Sequence, residues 1–262
     1  MLEIRNSVAV ITGGSGGIGM ALVQYWIGNG GKVVLADIEP ALNTTVDQIQ
    51  ALGEDVAAFP CDVTNEEDCA KLADFAIEKF GQINLVAPFA GIIKDSLMVA
   101  TDWKGRVAKK MTLDQFQSVI NINLTGVFLT TRECVERMVN NSNKGLVCLI
   151  SSTGSLGTAG QLNYSSSKAA VSIFPKVLTA EFFRRGLADK IRVCAVAPGY
   201  VGTPMVKRIP EKALNAIIEQ VPIGRLVEPE EIASLVGELY RNEALAGETF
   251  FVHGGLRLGS KG

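Results

Sequence analysis

Two residues four positions apart, Tyr164 and Lys168, are of the types that move a proton together. A helix through this segment would place the phenol and the ammonium on one face. A phenol in water titrates near pH ~10, and a nearby positive charge favours its ionised form. That shift brings the group toward the pH range in which it exchanges protons with an alcohol oxygen. The pair predicts an acid–base site, but this spacing also arises by chance, so the surrounding sequence decides its meaning.

A glycine-rich turn near the N-terminus predicts a nucleotide-binding site. The segment from Thr12 to Gly19 holds five glycines, follows the apolar run from Val8 to Ile11 and opens a helical stretch from Met20 to Ile27. Glycines leave room for a pyrophosphate to reach backbone N–H groups at the start of a helix, where the dipole favours negative charge. A purely structural turn would account for only one or two of these glycines. The residues expected to contact the cofactor here are Gly13, Ser15, Gly16, Gly17, Ile18 and Gly19.

Asp37 indicates which dinucleotide this turn receives. It ends the second apolar run, a position that faces the adenosine ribose in dinucleotide-binding folds, where its carboxylate would accept hydrogen bonds from the hydroxyls. The same carboxylate would repel a 2′-phosphate, and no Lys or Arg lies between Thr12 and Gly19 to neutralise one. With Ile38 as a further contact, the sequence predicts NAD(H) in preference to NADP(H). The alternative is an Asp that caps a helix near Pro40.

Seven short apolar runs alternate with helical stretches along the chain. Uniformly apolar strands must be covered on both faces, which right-handed crossover helices achieve around a parallel sheet. The pattern predicts an α/β fold, with a doubly wound seven-stranded parallel sheet and helices on both faces. We expect residues 1–262 to form one domain, with a cofactor half over about 1–145 and a catalytic and substrate half over about 146–262. The runs are Val8–Ile11, Lys32–Ala36, Val56–Phe59, Asn84–Val86, Leu146–Ile150, Ile191–Val196 and Thr249–Val252.

Composition and charge exclude several classes of function. The chain has 262 residues, 47% of them hydrophobic, and a net charge of −2, so it lacks the positive field that draws nucleic acid or anionic lipid. No apolar run approaches the ~20 residues that span a bilayer, and the N-terminus lacks the features of a secretion signal. Five cysteines without a C-x-x-C pair and a single histidine favour reduced thiols over a metal site. We expect a cytoplasmic protein with no metal and no nucleic-acid or membrane partner.

One segment, from Leu97 to Met111, breaks the alternation of strands and helices. It carries four basic residues, Lys104, Arg106, Lys109 and Lys110, ahead of the next helical stretch. One interpretation is a solvated surface loop or small hairpin, and the other is a basic contact for an anionic group of a substrate.

Further motifs make the chain resemble the short-chain dehydrogenases/reductases over essentially its whole length. Asn123 in Ile122-Asn123-Leu124 matches the family's catalytic Asn, and Ser152 matches its catalytic Ser. Tyr164-x-x-x-Lys168 matches the catalytic pair. The resemblance implies a Rossmann fold and an NAD(P)(H)-dependent oxidoreductase, in which a nicotinamide exchanges hydride with a carbonyl carbon. By the same analogy Tyr164 supplies the proton and Ser152 polarises the oxygen. Lys168 lowers the pKa of the Tyr and binds the nicotinamide ribose, while Asn123 holds a water in a proton relay.

Two of these assignments have alternatives in the sequence. Ser151 competes with Ser152, which we prefer because it lies one residue further out of the strand. The spacing from Ser152 to Tyr164 is nevertheless one residue shorter than is common in the family. Asn123 is alternatively a buried amide satisfied by the backbone.

The resemblance also assigns the walls of the cofactor site. It matches one pair of residues to the adenine contact and a later Pro-Gly segment to the lining of the nicotinamide. One departure is Ala87-Pro88-Phe89, which stands where many members carry Asn-Asn, and Pro88 cannot donate an N–H. Only the backbone after Phe89 is then left to approach the adenosine. The expected contacts are Asp62, Val63, Ala90, Gly91, Pro198, Gly199, Val201 and Thr203.

Within the family, the chain is most similar to the 3-oxoacyl-acyl-carrier-protein reductases, judged by Asn121–Phe128, Gly160–Tyr164 and Val252–Gly255. This implies a 3-oxoacyl thioester of an acyl carrier protein or coenzyme A, whose phosphates Arg184-Arg185 and the 104–110 loop would meet. The alternative is that both basic clusters are solvated faces of the protein. The alternatives are an NAD-dependent sugar or small secondary-alcohol dehydrogenase, and a regulator that binds nucleotide without catalysis. The family further implies a homo-oligomer, either a tetramer or a dimer.

Overall fold

The computed structural model describes residues 1–207 and 210–256. The strands in these ranges are β1 (Val8–Thr12), β2 (Lys32–Asp37), β3 (Val56–Pro60), β4 (Leu85–Pro88), β5 (Val99–Thr101), β6 (Val107–Lys110), β7 (Gly145–Ile150), β8 (Ile191–Pro198) and β9 (Thr249–Val252). Seven of them form one parallel sheet in the order β3-β2-β1-β4-β7-β8-β9. The predicted seven-stranded parallel sheet is confirmed.

Helices cover both faces of this sheet, as the apolar strands required. They are α1 (Gly17–Gly28), α2 (Glu39–Ala51), α3 (Glu66–Phe80), α4 (Leu113–Ile120), α5 (Val127–Asn140), α6 (Leu162–Arg184), α7 (Pro204–Lys207), α8 (Glu211–Ile218) and α9 (Pro229–Arg241). One core lies under α1 and α9, where Trp26 meets Tyr240 edge to face with ring centres 4.8 Å apart. The second core lies under α3, α5 and α6. In the ranges described above, no helix has the length and apolar character needed to cross a bilayer.

Strand β1 shows why the strands read as continuous apolar runs. Ala9 and Ile11 pack into the core under α1 and α9, whereas Val10 between them packs into the core under α3, α5 and α6. All three side chains are fully buried. Because each face of the sheet has its own layer of helices, neither set of alternating positions tolerates polar residues.

The order of the strands creates a switch point between β1 and β4. The chain runs from β1 outward to β3 on one side and then returns to place β4 against the other side of β1. At the carboxyl edge, Thr12 lies opposite Ala36 of β2 and Pro88 of β4. Ligands of open parallel sheets bind in the crevice outside such a point. The glycine turn, Asp37 and the backbone after β4 all leave the sheet at this edge.

The segment that breaks the strand and helix alternation is a small antiparallel hairpin. Strands β5 and β6 pair with each other in a separate two-stranded sheet, with Val99 opposite Lys110 and Ala100 opposite Lys109. Every residue from 101 to 110 is exposed. The interpretation as a surface hairpin is confirmed.

Candidate active site

The glycine turn between β1 and α1 is shaped for close backbone approach. Gly13 has a φ of +68°, and a Cβ there would lie 2.7 Å from the backbone nitrogen of Ala90. A Cβ on Gly19 would collide with the carbonyl oxygen of Gly13, which lies against the first turn of α1. Helix α1 begins after Gly16, whose lack of a side chain leaves the first turn uncapped. The first N–H groups of the helix are therefore available to an anion such as a pyrophosphate.

The carboxylate of Asp37 contacts this turn directly. Its Oδ2 accepts a 3.1 Å hydrogen bond from the backbone N–H of Ser15, and its Oδ1 accepts one of 2.9 Å from Ile38. Helix α2 begins at Glu39 with Ile38 as its N-cap residue, so Asp37 does not cap it. The carboxylate thus lies beside the glycine turn, where a ribose bound next to the pyrophosphate would meet it.

The opposite wall of the crevice is the backbone after β4. Phe89 donates to the carbonyl oxygen of Thr12 at 3.1 Å, and Ala90 donates to the Thr12 Oγ1 at 3.4 Å. Pro88 ends the strand without an N–H, as the sequence indicated. The backbone of Ala90 therefore lies against Gly13, and the missing Asn-Asn amides leave a wall built by the main chain alone.

The two residues predicted to contact adenine, Asp62 and Val63, follow β3. They do not line the cavity that contains Tyr164 and Lys168. Asp62 accepts hydrogen bonds from the Thr64 N–H at 2.9 Å and hydroxyl at 2.8 Å, which fixes the turn into α3. Val63 is buried against Gly126, where a Cβ would lie 2.6 Å from the Val63 Cγ2. Both residues stand at the carboxyl edge of the sheet, further out than the glycine turn.

Helix α6 carries Tyr164 and Lys168 on successive turns near its start. The Lys168 Nζ lies 5.7 Å from the centre of the Tyr164 ring and donates a 2.9 Å hydrogen bond to the carbonyl oxygen of Ile150 at the end of β7. The ammonium is buried, and this burial lowers the pKa of Lys168 to about 8. The phenol of Tyr164 and the ammonium of Lys168 therefore lie close together, as their spacing in the sequence predicted.

The pKa of Tyr164 differs from the expectation. It is raised above its ordinary value, first because the ring is buried, while a hydrogen bond with Ser152 opposes the rise and the charge of Asp95 adds to it. The resemblance implied a pKa lowered by Lys168, and that expectation is wrong for this structure. Burial outweighs the favourable partners because it disfavours the charged phenolate more than they stabilise it.

The two neighbouring serines have different surroundings. Ser151 donates to the carbonyl oxygen of Lys168 at 2.9 Å and shares a 2.6 Å hydrogen bond with Ser172, so its hydroxyl is occupied by α6. Ser152 accepts from the N–H of Gly154 at 3.0 Å and reaches the hydroxyl of Tyr164. Of the two, Ser152 is the one hydrogen-bonded to the phenol.

Asn123 lies in a π-helical segment, Asn121–Gly126, between α4 and α5. Its Nδ2 donates to the Ile92 carbonyl at 3.0 Å, and its Oδ1 accepts from the Ile92 N–H at 2.8 Å. The side chain is fully buried, as in the alternative of an amide satisfied by backbone. A Cβ on Gly91 would lie 3.3 Å from the Asn123 Oδ1 and 3.7 Å from the Lys168 Nζ, so both side chains converge on Gly91. Single-turn π segments of this kind are frequent at functional sites.

A cavity of about 320 Å³ brings together nine of the twenty predicted site residues. The predicted residues that line it are Ile18, Gly91, Ser152, Tyr164, Lys168, Pro198, Gly199, Val201 and Thr203. The segment after β8 closes over the turn, because a Cβ on Gly17 would lie 2.9 Å from the Thr203 Cγ2. In the part of the chain that the structure describes, no group of three His, Cys, Asp or Glu residues is placed to hold a metal ion.

The cavity also contains residues that the sequence reasoning missed. They are mainly apolar or neutral, namely Phe89, Ile92, Ile93, Thr153, Gly154 and Tyr200. Thr158, Gln161 and Val206 also line the cavity, and they belong to the segments 155–162 and 201–223, in which the sequence predicts the substrate-specificity residues. Gln161 stands three residues before Tyr164, about one helical turn away. Its Nε2 donates a 2.9 Å hydrogen bond to Asp95, which fixes the side chain at the cavity.

The predicted contribution of Arg184 and Arg185 disagrees with the fold of one subunit. Arg184 ends the helix on which Tyr164 lies in the first turn. Twenty residues of α-helix separate them by about 30 Å, at ~1.5 Å per residue. These arginines are therefore remote from the cavity of their own subunit.

The residues present fit a nicotinamide dinucleotide. The glycine turn offers an uncapped helix start for the pyrophosphate, and Asp37 lies beside it for a ribose. Lys168 and the Pro198-Gly199 segment line the cavity further along the same edge.

A family model of the short chain dehydrogenases matches residues 7–214. The chain belongs to the short-chain dehydrogenase family. It is an oxidoreductase that acts on CH–OH or keto groups with a nicotinamide cofactor. The predictions of fold, family and reaction class are confirmed.

Several members of the short-chain dehydrogenase family are similar to this chain over nearly its full length. An acetoacetyl-CoA reductase of Shinella zoogloeoides is 38% identical over 95% of this chain and 98% of its own. A 3-oxoacyl-[acyl-carrier-protein] reductase of Thermotoga maritima is 32% identical over 97% and 99%. A 3-hydroxyacyl-CoA dehydrogenase type-2 of Drosophila melanogaster is 34% identical over 97% and 99%. The solved structure of a glucose/ribitol dehydrogenase of the family from Brucella melitensis has a TM-score of 0.83, with 28% identity and 98% of each chain covered.

Proposed function

We propose that this short-chain dehydrogenase interconverts 3-oxoacyl and 3-hydroxyacyl thioesters and prefers NAD(H). The observation that carries the proposed chemistry is that Tyr164, Ser152 and Lys168 line the same cavity. A hydroxyl pair of this kind can deliver one proton and one hydrogen bond to the same carbonyl oxygen.

The proposed roles follow from this geometry. A bound nicotinamide supplies the hydride to the carbonyl carbon in reduction and accepts it in oxidation. In reduction Tyr164 donates its proton to the oxygen, and its raised pKa keeps it protonated at neutral pH. Ser152 donates a hydrogen bond to the oxygen where negative charge develops. Lys168, cationic below pH about 8, stabilises the phenolate that remains.

Asn123 is proposed to position this group of residues and to lead a proton relay. Its amide is held by both polar groups of the Ile92 backbone, and a weak 3.5 Å contact joins it to the hydroxyl of Ser167 on α6. It thereby ties the π-helical segment to the helix that carries Tyr164. The water in the relay is implied by the family resemblance.

The cofactor is proposed to span both halves of the chain. The contacts assigned to the half over about 1–145 are the glycine-turn residues Gly13, Ser15, Gly16, Gly17, Ile18 and Gly19, then Asp37, Ile38, Asp62, Val63, Ala90 and Gly91. The contacts assigned to the half over about 146–262 are Tyr164, Lys168, Pro198, Gly199, Val201 and Thr203. Each set leaves the sheet at its carboxyl edge, where dinucleotides bind in open parallel sheets.

The preference for NAD(H) is supported by the charges around Asp37. From Thr12 to Asp55 the only basic residue is Lys32, which begins β2, whereas Asp37 ends that strand. A 2′-phosphate would therefore meet a carboxylate without a nearby cation.

Titration tests this preference. NADH should bind at least about tenfold more tightly than NADPH, equivalent to ~1.4 kcal/mol. Replacing both Asp37→Ser and Ile38→Arg should reverse the order, because the repulsion is removed and a cation is added. The single change Glu54→Lys raises the net charge by the same two units at an exposed position before β3, and it serves as the charge-matched control. A wild-type protein that binds NADPH more tightly would overturn the assignment.

The thioester class is supported by the relatives and by the cavity lining. Three similar proteins are named for 3-oxoacyl, acetoacetyl or 3-hydroxyacyl thioesters, which share an oxygen on the third carbon. The lining of the cavity includes Phe89, Ile92, Ile93 and Val206. Such a lining suits an acyl chain better than a polyhydroxylated sugar.

The second candidate is a sugar or small secondary-alcohol dehydrogenase, which the similarity to a glucose/ribitol dehydrogenase favours. An activity screen separates the two. Purified protein with NADH should reduce acetoacetyl thioesters with a kcat/KM at least ~100-fold above its value for keto sugars or simple ketones. A preference for sugars would replace the first proposal by the second, and binding of NADH without turnover of any substrate would indicate a regulator.

A homo-oligomer is proposed through the outer face of α5 and α6. Phe128, Ile173 and Val177 are exposed side by side along a groove that also contains Arg132 and Glu181. An apolar face flanked by both signs of charge suits a twofold contact with a second copy. Light scattering should show a dimer or tetramer, and Val177→Glu should dissociate it.

We also propose a cytoplasmic location, since all five cysteines are free thiols.

A further inference from the structure

The β5–β6 hairpin projects from the body of the protein with every residue from 101 to 110 exposed. A two-stranded hairpin of this size gains little stability on its own in water. Its side chains include large apolar groups, among them Trp103, which is 88% exposed. A segment that adds so little to the core and keeps such side chains in solvent is suited to contact a ligand.

The turn of the hairpin is well ordered by Asp102. Its Oδ1 accepts hydrogen bonds from the N–H groups of Lys104 at 2.8 Å and Arg106 at 2.9 Å. Gly105, with a φ of +76°, donates to the Asp102 carbonyl at 3.0 Å. The one carboxylate of the hairpin is thus engaged by the backbone of its own turn.

Within the part of the chain that the structure describes, the basic side chains of the hairpin form no ion pairs. Over residues 1–207 and 210–256, the ion pairs found include none with Lys104, Arg106, Lys109 or Lys110. The Lys104 ammonium lies 4.7 Å from the centre of the Trp103 ring, so it covers part of the indole. An exposed indole with cations around it matches a ligand that joins an aromatic base to phosphates.

The base of the hairpin is connected to the wall of the cavity. Ser96 donates to the carbonyl oxygen of Gly160 at 2.8 Å and forms a bridge with Gln161, which also bonds to Asp95. Seven residues of chain reach from Ser96 to Trp103, a span of at most about 25 Å.

The segment between the cavity and the hairpin carries exposed apolar side chains. Ile93 lines the cavity and is exposed, and Leu97 and Met98, which precede β5 in sequence, are exposed as well. A flexible arm that leaves the cavity can follow these side chains toward the basic turn.

We propose that the β5–β6 hairpin binds the nucleotide end of a coenzyme A thioester whose acyl group occupies the cavity. Trp103 stacks on the adenine, and Lys109 and Lys110 meet the phosphates. The pantetheine arm bridges the path between them. This inference rests on the proposed thioester chemistry. A carrier-protein thioester would offer carboxylates to the lysines but no planar base to the indole, so the hairpin favours the coenzyme A form.

Kinetics with two thioesters of the same acyl group test the inference. Acetoacetyl-CoA carries the nucleotide, whereas the N-acetylcysteamine thioester keeps the reacting group and lacks it. The double variant K109Q/K110Q should raise KM for acetoacetyl-CoA about tenfold, the effect of two exposed ion pairs, with kcat unchanged. It should leave the N-acetylcysteamine thioester unaffected. K79Q/K190Q removes the same charge from exposed positions elsewhere and should change neither substrate.

Tryptophan fluorescence gives a readout that needs no turnover. The chain has two tryptophans, of which Trp26 is buried and Trp103 is exposed. Coenzyme A should quench the exposed indole in a saturable way, the quenching should weaken with salt, and Trp103→Leu should abolish it.

The outcomes separate this inference from the proposed function. Equal effects of K109Q/K110Q on both thioesters, or no effect on either, would overturn the hairpin site. With the acetoacetyl thioester of an acyl carrier protein as a third substrate, an effect confined to that substrate would overturn it as well. If no thioester is turned over, the proposed function fails. Saturable quenching by coenzyme A then still supports the hairpin as a nucleotide site, and its absence rejects it.

Discussion

The ammonium of Lys168 lies 5.7 Å from the centre of the Tyr164 ring, yet it donates its hydrogen bond to the carbonyl oxygen of Ile150. The cation is thus held by the end of β7, close to the face of the Tyr164 ring. Burial governs both groups, lowering the pKa of Lys168 to about 8 and raising that of Tyr164. A protonated phenol and a nearby cation are the forms that reduction of a carbonyl requires at neutral pH.

Tyr164→Phe should remove the proton donor and leave the ring in place. We expect kcat for carbonyl reduction to fall by ~10²–10⁴-fold, the usual effect of losing a general acid. The affinity for NADH should stay within about twofold, because no cofactor contact is proposed for the lost hydroxyl alone. Tyr25→Phe, which loses a hydroxyl bonded to Arg241 far from the cavity, is the control. Unchanged turnover in Tyr164→Phe would sink the assignment.

Lys168→Met should raise stability while it lowers activity. Burial lowers the lysine pKa from 10.5 to about 8, so below pH 8 the folded state holds a cation that prefers water. The gain at pH 7 is on the order of 3 kcal/mol, at ~1.4 kcal/mol per pKa unit. Between pH 8 and 10.5 the folded protein loses this proton while the unfolded chain keeps it, so the stability of the wild type rises. The difference in free energy of unfolding between Lys168→Met and the wild type therefore narrows over this range.

Denaturant unfolding at several pH values measures this effect, with exposed Lys190→Met as the control. A stability difference between Lys168→Met and wild type that stays constant from pH 7 to 10.5 would contradict the role assigned to burial.

Substitution of Ser152 should lower the catalytic rate, whereas substitution of Ser151 should lower the stability of the fold. Ser152→Ala should lower kcat by ~10²-fold, because a hydrogen bond to the developing oxyanion is lost. Ser151→Ala should lower the free energy of unfolding by about 1–3 kcal/mol, since its partners on α6 stay buried. Steady-state kinetics and urea unfolding of both variants decide the matter. If Ser151→Ala loses turnover and Ser152→Ala keeps it, the assignment must be reversed.

Two glycines of α1 provide a matched pair for the phosphate-binding turn. Gly19→Ala should weaken NADH binding and destabilise the fold, because its Cβ would collide with the Gly13 carbonyl oxygen. Gly28→Ala has nothing within 4 Å of its Cβ and should stabilise the helix by ~0.5–1 kcal/mol. Calorimetric titration with NADH and thermal unfolding report the two effects. Normal binding by Gly19→Ala would show that the turn is not packed as described.

Local sequence patterns were sufficient to predict the fold and the types of residue in the site. The apolar runs predicted all seven strands of the parallel sheet, because strands buried on both faces can hold few polar residues. The five-glycine turn after β1 and the spacing of Tyr164 and Lys168 depend on a few neighbouring residues, so the sequence alone revealed them.

Contacts between residues that are distant in sequence could not be predicted from local patterns. Asn123 is hydrogen-bonded to the backbone of Ile92, 31 residues away. Nothing in the types of these two residues indicates that they pair. Likewise, the sequence left Arg184 and Arg185 either as a contact for a substrate or as a solvated face, and the length of α6 decides for the solvated face because it carries them far from Tyr164.

The sequence by itself determined the family, the reaction class and the pairing of a phenol with a lysine, because these depend on residue types at short spacing. Only the tertiary structure decided which serine faces Tyr164, which direction its pKa takes and where the basic hairpin stands. Those properties depend on burial and on contacts between distant segments. Burial in the fold sets the directions of the two pKa values, lowered for Lys168 and raised for Tyr164, and the spacing of the residues in the sequence does not reveal them.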